Sequence, residues 1–87
     1  MKHAGPAALD RIGPLLVKLR ALPALKEKSR GAFYRGSRAF LHFHEHGEEL
    51  FADLRSGDDF ERFPATSAAE RSALLKTVKA VLAAPKR

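Results

Sequence analysis

Two histidines stand two residues apart in this chain, as His42-Phe43-His44, with His46 close behind. On a β-strand, side chains two apart leave the same face, so His42 and His44 would present two imidazoles to one divalent ion. Imidazole nitrogen suits zinc, nickel and copper. In the expected register Glu49 lies opposite His44 and Asp53 one step beyond His42, and either would supply a carboxylate. The same His–Asp neighbourhood would orient an imidazole for acid–base work. No nucleophile-elbow serine and no glycine-rich phosphate loop accompanies it. A stand-alone enzyme is therefore disfavoured.

A second constellation shares that strand face. Phe33, Phe40 and Phe51 would lie side by side on three neighbouring strands, with Arg35, Arg38 and Arg55 at one end. Aromatic rings beside arginines are how several sheet platforms hold single-stranded nucleic acid. A soluble monomer seldom leaves three such rings bare, so the same patch also suits burial against a second copy or a partner protein. The expected binding face is thus Phe33, Arg35, Arg38, Phe40, His42, His44, Phe51, Asp53 and Arg55.

The elements that must position these residues follow from periodicity. Leu15, Leu16, Leu19 and Leu22 mark one face of a helix that begins at Gly13-Pro14 and ends before Pro23. An earlier start near Ala7, kinked at Pro14, is the alternative. From Gly31 the pattern alternates. Gly36-Ser37 separates Ala32–Arg35 from Arg38–His44 as a two-residue hairpin loop, pairing Arg35 with Arg38, Tyr34 with Ala39 and Phe33 with Phe40. A second turn at His46-Gly47 leads into Glu48–Arg55 and pairs Phe43 with Leu50, His42 with Phe51, Leu41 with Ala52 and Phe40 with Asp53. Histidine is a poor first residue for a type I′ turn. Both hairpins sort Ala32, Tyr34, Ala39, Leu41, Phe43, Leu50, Ala52 and Leu54 onto one core face. Residues 60–63 fit either a short fourth strand or an anchoring loop. Ser67-Ala68-Ala69-Glu70 is a capping box opening a helix with Leu74, Leu75, Val78, Val81 and Leu82 on one stripe, closed by Pro85.

The fold class expected is α+β: helix, three-stranded antiparallel meander, helix, with both helices on one sheet face. Residues 1–87 form a single domain, with a loose lead-in over 1–13, a folded core over 14–84 and a tail over 85–87. Residues 23–30 read as a charged connector.

Bulk composition narrows the function further. The 87 residues include no cysteine, which removes disulfides, thiolate zinc sites and thiol redox chemistry together. Sixteen Lys and Arg against ten Asp and Glu give a formal charge of +6. That excess favours weak contact with polyanions. No targeting segment and no run near the roughly 20 apolar residues of a membrane span is present. A cytoplasmic protein that does not engage membranes is expected.

The stretch Arg38-Ala39-Phe40-Leu41-His42-Phe43-His44 through Phe51-Ala52-Asp53-Leu54-Arg55 resembles a family of small uncharacterised bacterial proteins. They share the leucine–proline helix end, the Phe-Tyr hairpin, the histidine-rich strand and the capped last helix. The likeness covers most of residues 15–83 and implies no activity. The glycine-aromatic hairpin leading into paired histidines and an aspartate is also similar to luciferase-like domains. The His-to-Asp spacing differs and no later histidine pair follows, so no luciferase activity is implied. The helix–meander–helix order resembles MmcQ/YjbR-like folds, an analogy of fold alone.

The leading expectation is a non-enzymatic binding domain that uses its open sheet face for homodimerisation or contact with a protein partner, without a cofactor. The alternatives are an anion or single-stranded nucleic-acid binder on the Phe/Arg face and a divalent metal site at His42 and His44.

Overall fold

A computed structural model describes residues 1–84 and gives an α+β fold with three helices and an antiparallel sheet. Strand β1 (Lys2–His3) precedes helices α1 (Pro6–Arg11) and α2 (Gly13–Arg20). Then come β2 (Lys26–Ser29), β3 (Ala32–Arg35), β4 (Arg38–His46), β5 (Glu49–Ser56), β6 (Asp59–Pro64) and α3 (Ala68–Ala83). The sheet has six strands where three were expected, ordered β2-β3-β4-β5-β6, with β1 pairing separately onto β4.

Each additional strand has a physical reason for its silence in the sequence. Strand β2, expected to be connector, reads Lys-Glu-Lys-Ser with no apolar alternation because it lies at a sheet edge. Strand β6 takes the opposite edge and spans the undecided residues 60–63; it is largely exposed and ends at Pro64. Charge and proline on outer strands discourage pairing with other chains.

The region expected to be a loose lead-in is ordered and contributes to the core. Lys2–His3 pairs with β4, and α1 buries Ala8 and Leu9. Helices α1 and α2 are separate because Pro14 has no N–H to continue the ladder. Between them Ile12 is fully buried and caps α2, its carbonyl accepting from the Leu16 N–H at 3.0 Å. Helix α2 ends at Arg20, two residues before the expected Leu22.

The capping box that opens α3 forms as expected. Ser67 Oγ accepts from the Glu70 N–H at 3.0 Å, and Glu70 Oε1 accepts from the Ser67 and Thr66 N–H groups at 2.9 and 3.0 Å. Pro85 and the expected tail lie outside the described residues.

One buried cluster joins Leu15, Leu16 and Leu19 of α2 and Leu74 and Val78 of α3 to the sheet residues Leu41, Phe43, Leu50, Ala52 and Leu54. Those five belong to the eight-residue face that alternation selects; the other three, Ala32, Tyr34 and Ala39, are only partly buried. Two details of register depart from expectation, and both bear on the site.

The first is a β-bulge. Arg35 pairs with Arg38 and Tyr34 with Ala39 as expected, but Phe33 pairs with Leu41 rather than Phe40. An extra residue in one strand moves later side chains to the other face. Phe33 therefore joins the side of Leu41, and both Phe33 and Phe40 enter the buried cluster at 1% and 2% exposure. The expected row of three bare phenylalanines does not exist.

The second is a two-residue slide between β4 and β5. The loop is Gly47-Glu48, not His46-Gly47, and His46 pairs with Glu49. The first loop position adopts φ 59°, a left-handed conformation that glycine takes freely and histidine resists. A shift of two preserves the faces but changes every partner. His42 now faces Asp53, and His44 faces Phe51.

Candidate metal site

The slide in register brings His42, His44 and Asp53 together on one face of the sheet. His42 Nδ1 lies 3.0 Å from His44 Nε2, and that same nitrogen lies 3.0 Å from Asp53 Oδ2. Strand β1 adds a third imidazole. His3 pairs with His44 across the ladder, and the two rings stack at 4.8 Å between centroids with an interplanar angle of 28°. One ring nitrogen from each of His3, His42 and His44 lies within 4.8 Å of the others.

Short backbone contacts hold β1 in this position. The Ala4 N–H donates to the Phe43 carbonyl at 3.0 Å, and the Gly5 N–H donates to Glu45 Oε2 at 2.6 Å. His3 thus reaches the site although its own side chain is exposed.

Asp53 is the one buried charged residue among those described, at 8% exposure. A buried carboxylate is costly unless paired and hydrogen-bonded. Arg62 of β6 meets this need with a bidentate fork, Nε to Oδ1 at 2.8 Å and Nη2 to Oδ2 at 2.9 Å. The Arg62 hydrogen bond holds the Asp53 carboxyl below the usual range, against the opposing effect of burial. Burial, followed by repulsion from His44, lowers the His42 pKa. A neutral imidazole with a free lone pair is the form that ligates metal. Phe60 covers His42 with ring centroids 4.9 Å apart.

Imidazole nitrogens are a donor type that a zinc-like ion takes. Ligand nitrogens around a tetrahedral ion with bonds of about 2.0–2.1 Å stand roughly 3.3 Å apart. The His42 and His44 nitrogens stand 3.0 Å apart, and the three-histidine set falls within 4.8 Å. Asp53 flanks the imidazoles, with both oxygens hydrogen-bonded to Arg62 and Oδ2 also 3.0 Å from His44 Nε2.

The remaining expected residues lie apart from this cluster. Arg35 and Arg38 face each other at the β3–β4 hairpin end, and Arg38 approaches Asp58 at 3.7 Å. Arg55 donates from Nε to the Ala39 carbonyl at 2.6 Å and sits 4.5 Å above the Phe60 ring. Phe51 is half-buried and pairs with His44. Glu49 lies opposite His46, exposed, rather than beside His44.

His3, Phe60 and Arg62 were not among the expected site residues. A lone histidine 39 positions before His42 has no spacing that marks it as a ligand, and Arg62 became legible only once β6 paired with β5. Among the described residues, no helix is long and apolar enough to cross a membrane. Comparison of the chain with protein-family models, curated proteins and solved structures gives no match.

Proposed function

We propose that this protein binds a divalent transition metal, zinc by preference, through His3, His42 and His44. Asp53 and Arg62 act as the supporting pair. The observation that carries this reading is the convergence of three imidazoles from two paired strands, with their ring nitrogens within 4.8 Å. Three nitrogen ligands leave a fourth tetrahedral position open, the pattern of sites that bind water or an exchangeable ligand.

The burial of Phe33 and Phe40 favours this reading over self-association or base stacking, since both depended on three neighbouring rings being bare.

Zinc titration followed by calorimetry and by histidine NMR resonances tests the site. His3, His42 and His44 should shift together with one equivalent bound. His42→Ala and His44→Ala should abolish binding, and His3→Ala should weaken it at least about tenfold while leaving the apo fold intact. If all three variants bind zinc like the parent, the cluster is only a hydrogen-bonded network and the reading is wrong.

A further inference from the structure

The three proposed ligands stand on unequal footings. His42 and His44 belong to β4, a nine-residue strand paired on both sides. His3 belongs to β1, which is two residues long and pairs through Lys2 and His3 alone. The side chains of Met1, Lys2 and His3 are exposed, and only Ala4 packs partly against the core. Beyond it α1 is anchored by the buried Ala8 and Leu9. Segments with few buried apolar contacts and exposed hydrogen bonds are the ones that open locally at small cost.

Polar contacts, rather than apolar burial, keep β1 on β4. The Ala4 N–H donates to the Phe43 carbonyl, and the His3 ring stacks on His44. The Gly5 N–H donates to Glu45 Oε2 at 2.6 Å. Glu45 is not one of the three converging ligand residues. Its carboxylate holds the backbone two residues after His3.

We infer that the metal acts as a clasp: the ion joins His3 to His42 and His44 and so locks β1 onto β4, with Glu45 positioning His3 for that step. This inference rests on the metal site proposed above. An ion that prefers the docked segment to the open one must stabilise docking. By linkage, whatever loosens β1 must weaken the ion by the same factor. Glu45 therefore contributes to zinc affinity only while His3 is present.

Amide exchange followed by NMR in the whole protein reads docking directly. Saturating zinc should slow exchange of the Ala4 N–H by the factor that His3 adds to affinity, about tenfold or more. In His3→Ala, zinc should leave that exchange unchanged. Glu45→Ala should weaken zinc binding about threefold to tenfold by calorimetry. Glu45→Gln keeps an acceptor oxygen and should retain most of the affinity. Added to His3→Ala, the Glu45→Ala change should cost nothing further.

Zinc bound at the histidines with Ala4 exchange unchanged would overturn the clasp and leave the metal site standing. An equal loss from Glu45→Ala with and without His3 would assign Glu45 to the fold and overturn its positioning role. No zinc uptake by the parent would overturn the metal site itself, and the clasp with it. The exchange measurement on the parent decides the matter even if a variant does not fold.

Discussion

Asp53 sits directly across the ladder from His42, yet its carboxylate oxygen lies 3.0 Å from the next imidazole along, His44 Nε2. The contact is diagonal, and it leaves His42 Nδ1 to face His44 alone at 3.0 Å. One carboxylate, held from behind by Arg62, thereby sets the position of one ring, and that ring sets the other.

Asp53→Asn keeps the shape of this support and removes its charge. Asp53 Oδ2 meets His44 at Nε2, so the carboxylate supports the metal-free cluster and the fold. Thermal stability should fall, because Arg62 loses its counterion. An unchanged melting temperature would mean that the Arg62–Asp53 pair contributes nothing to the fold.

Phe33→Ala distinguishes a buried ring from an exposed one. A core phenylalanine truncated to alanine costs about 3–5 kcal/mol, whereas an exposed site changes stability by about 0.5 kcal/mol or less. Urea unfolding should show the larger loss. The smaller would mean that Phe33 pairs with Phe40 and that the bulge is absent.

Glu27 of β2 ties two elements together, accepting from the Arg20 guanidinium and, at 2.8 Å, from the Gly31 N–H. The Arg20 hydrogen bond is the main reason that the Glu27 pKa is lowered from the ordinary value of 4.5. Because the folded value is the depressed one, the stabilisation is complete above about 4.5 and is lost as pH falls through the folded value. Glu27→Gln should melt lower than the parent at neutral pH. The two melting temperatures should converge as the solution is acidified below pH 4.5. A gap independent of pH would mean that the carboxylate charge contributes nothing.

The sequence made the interior more legible than the site. Alternation from Leu41 to Leu54 identifies the apolar core residues of β4 and β5, because a two-residue slip leaves faces unchanged. Partner identity has no such protection. Whether His42 meets Phe51 or Asp53 depends on which of two adjacent residues enters the turn, and only the backbone preference of Gly47 decides it. The bulge opposite Phe33 and Tyr34 is harder still, since Phe40 is equally apolar on either side of it. Strands β1, β2 and β6 carry too few apolar residues to show a period. The third imidazole, on β1, was hidden with them.

Lys26, Glu27 and Lys28 occupy one outermost strand, and Asp59, Glu61, Arg62 and Pro64 the other. Another molecule adding rung upon rung at either border would have to accommodate these charges, and at Pro64 an imino acid that cannot donate. Charge and proline discourage fibril-type growth at both margins.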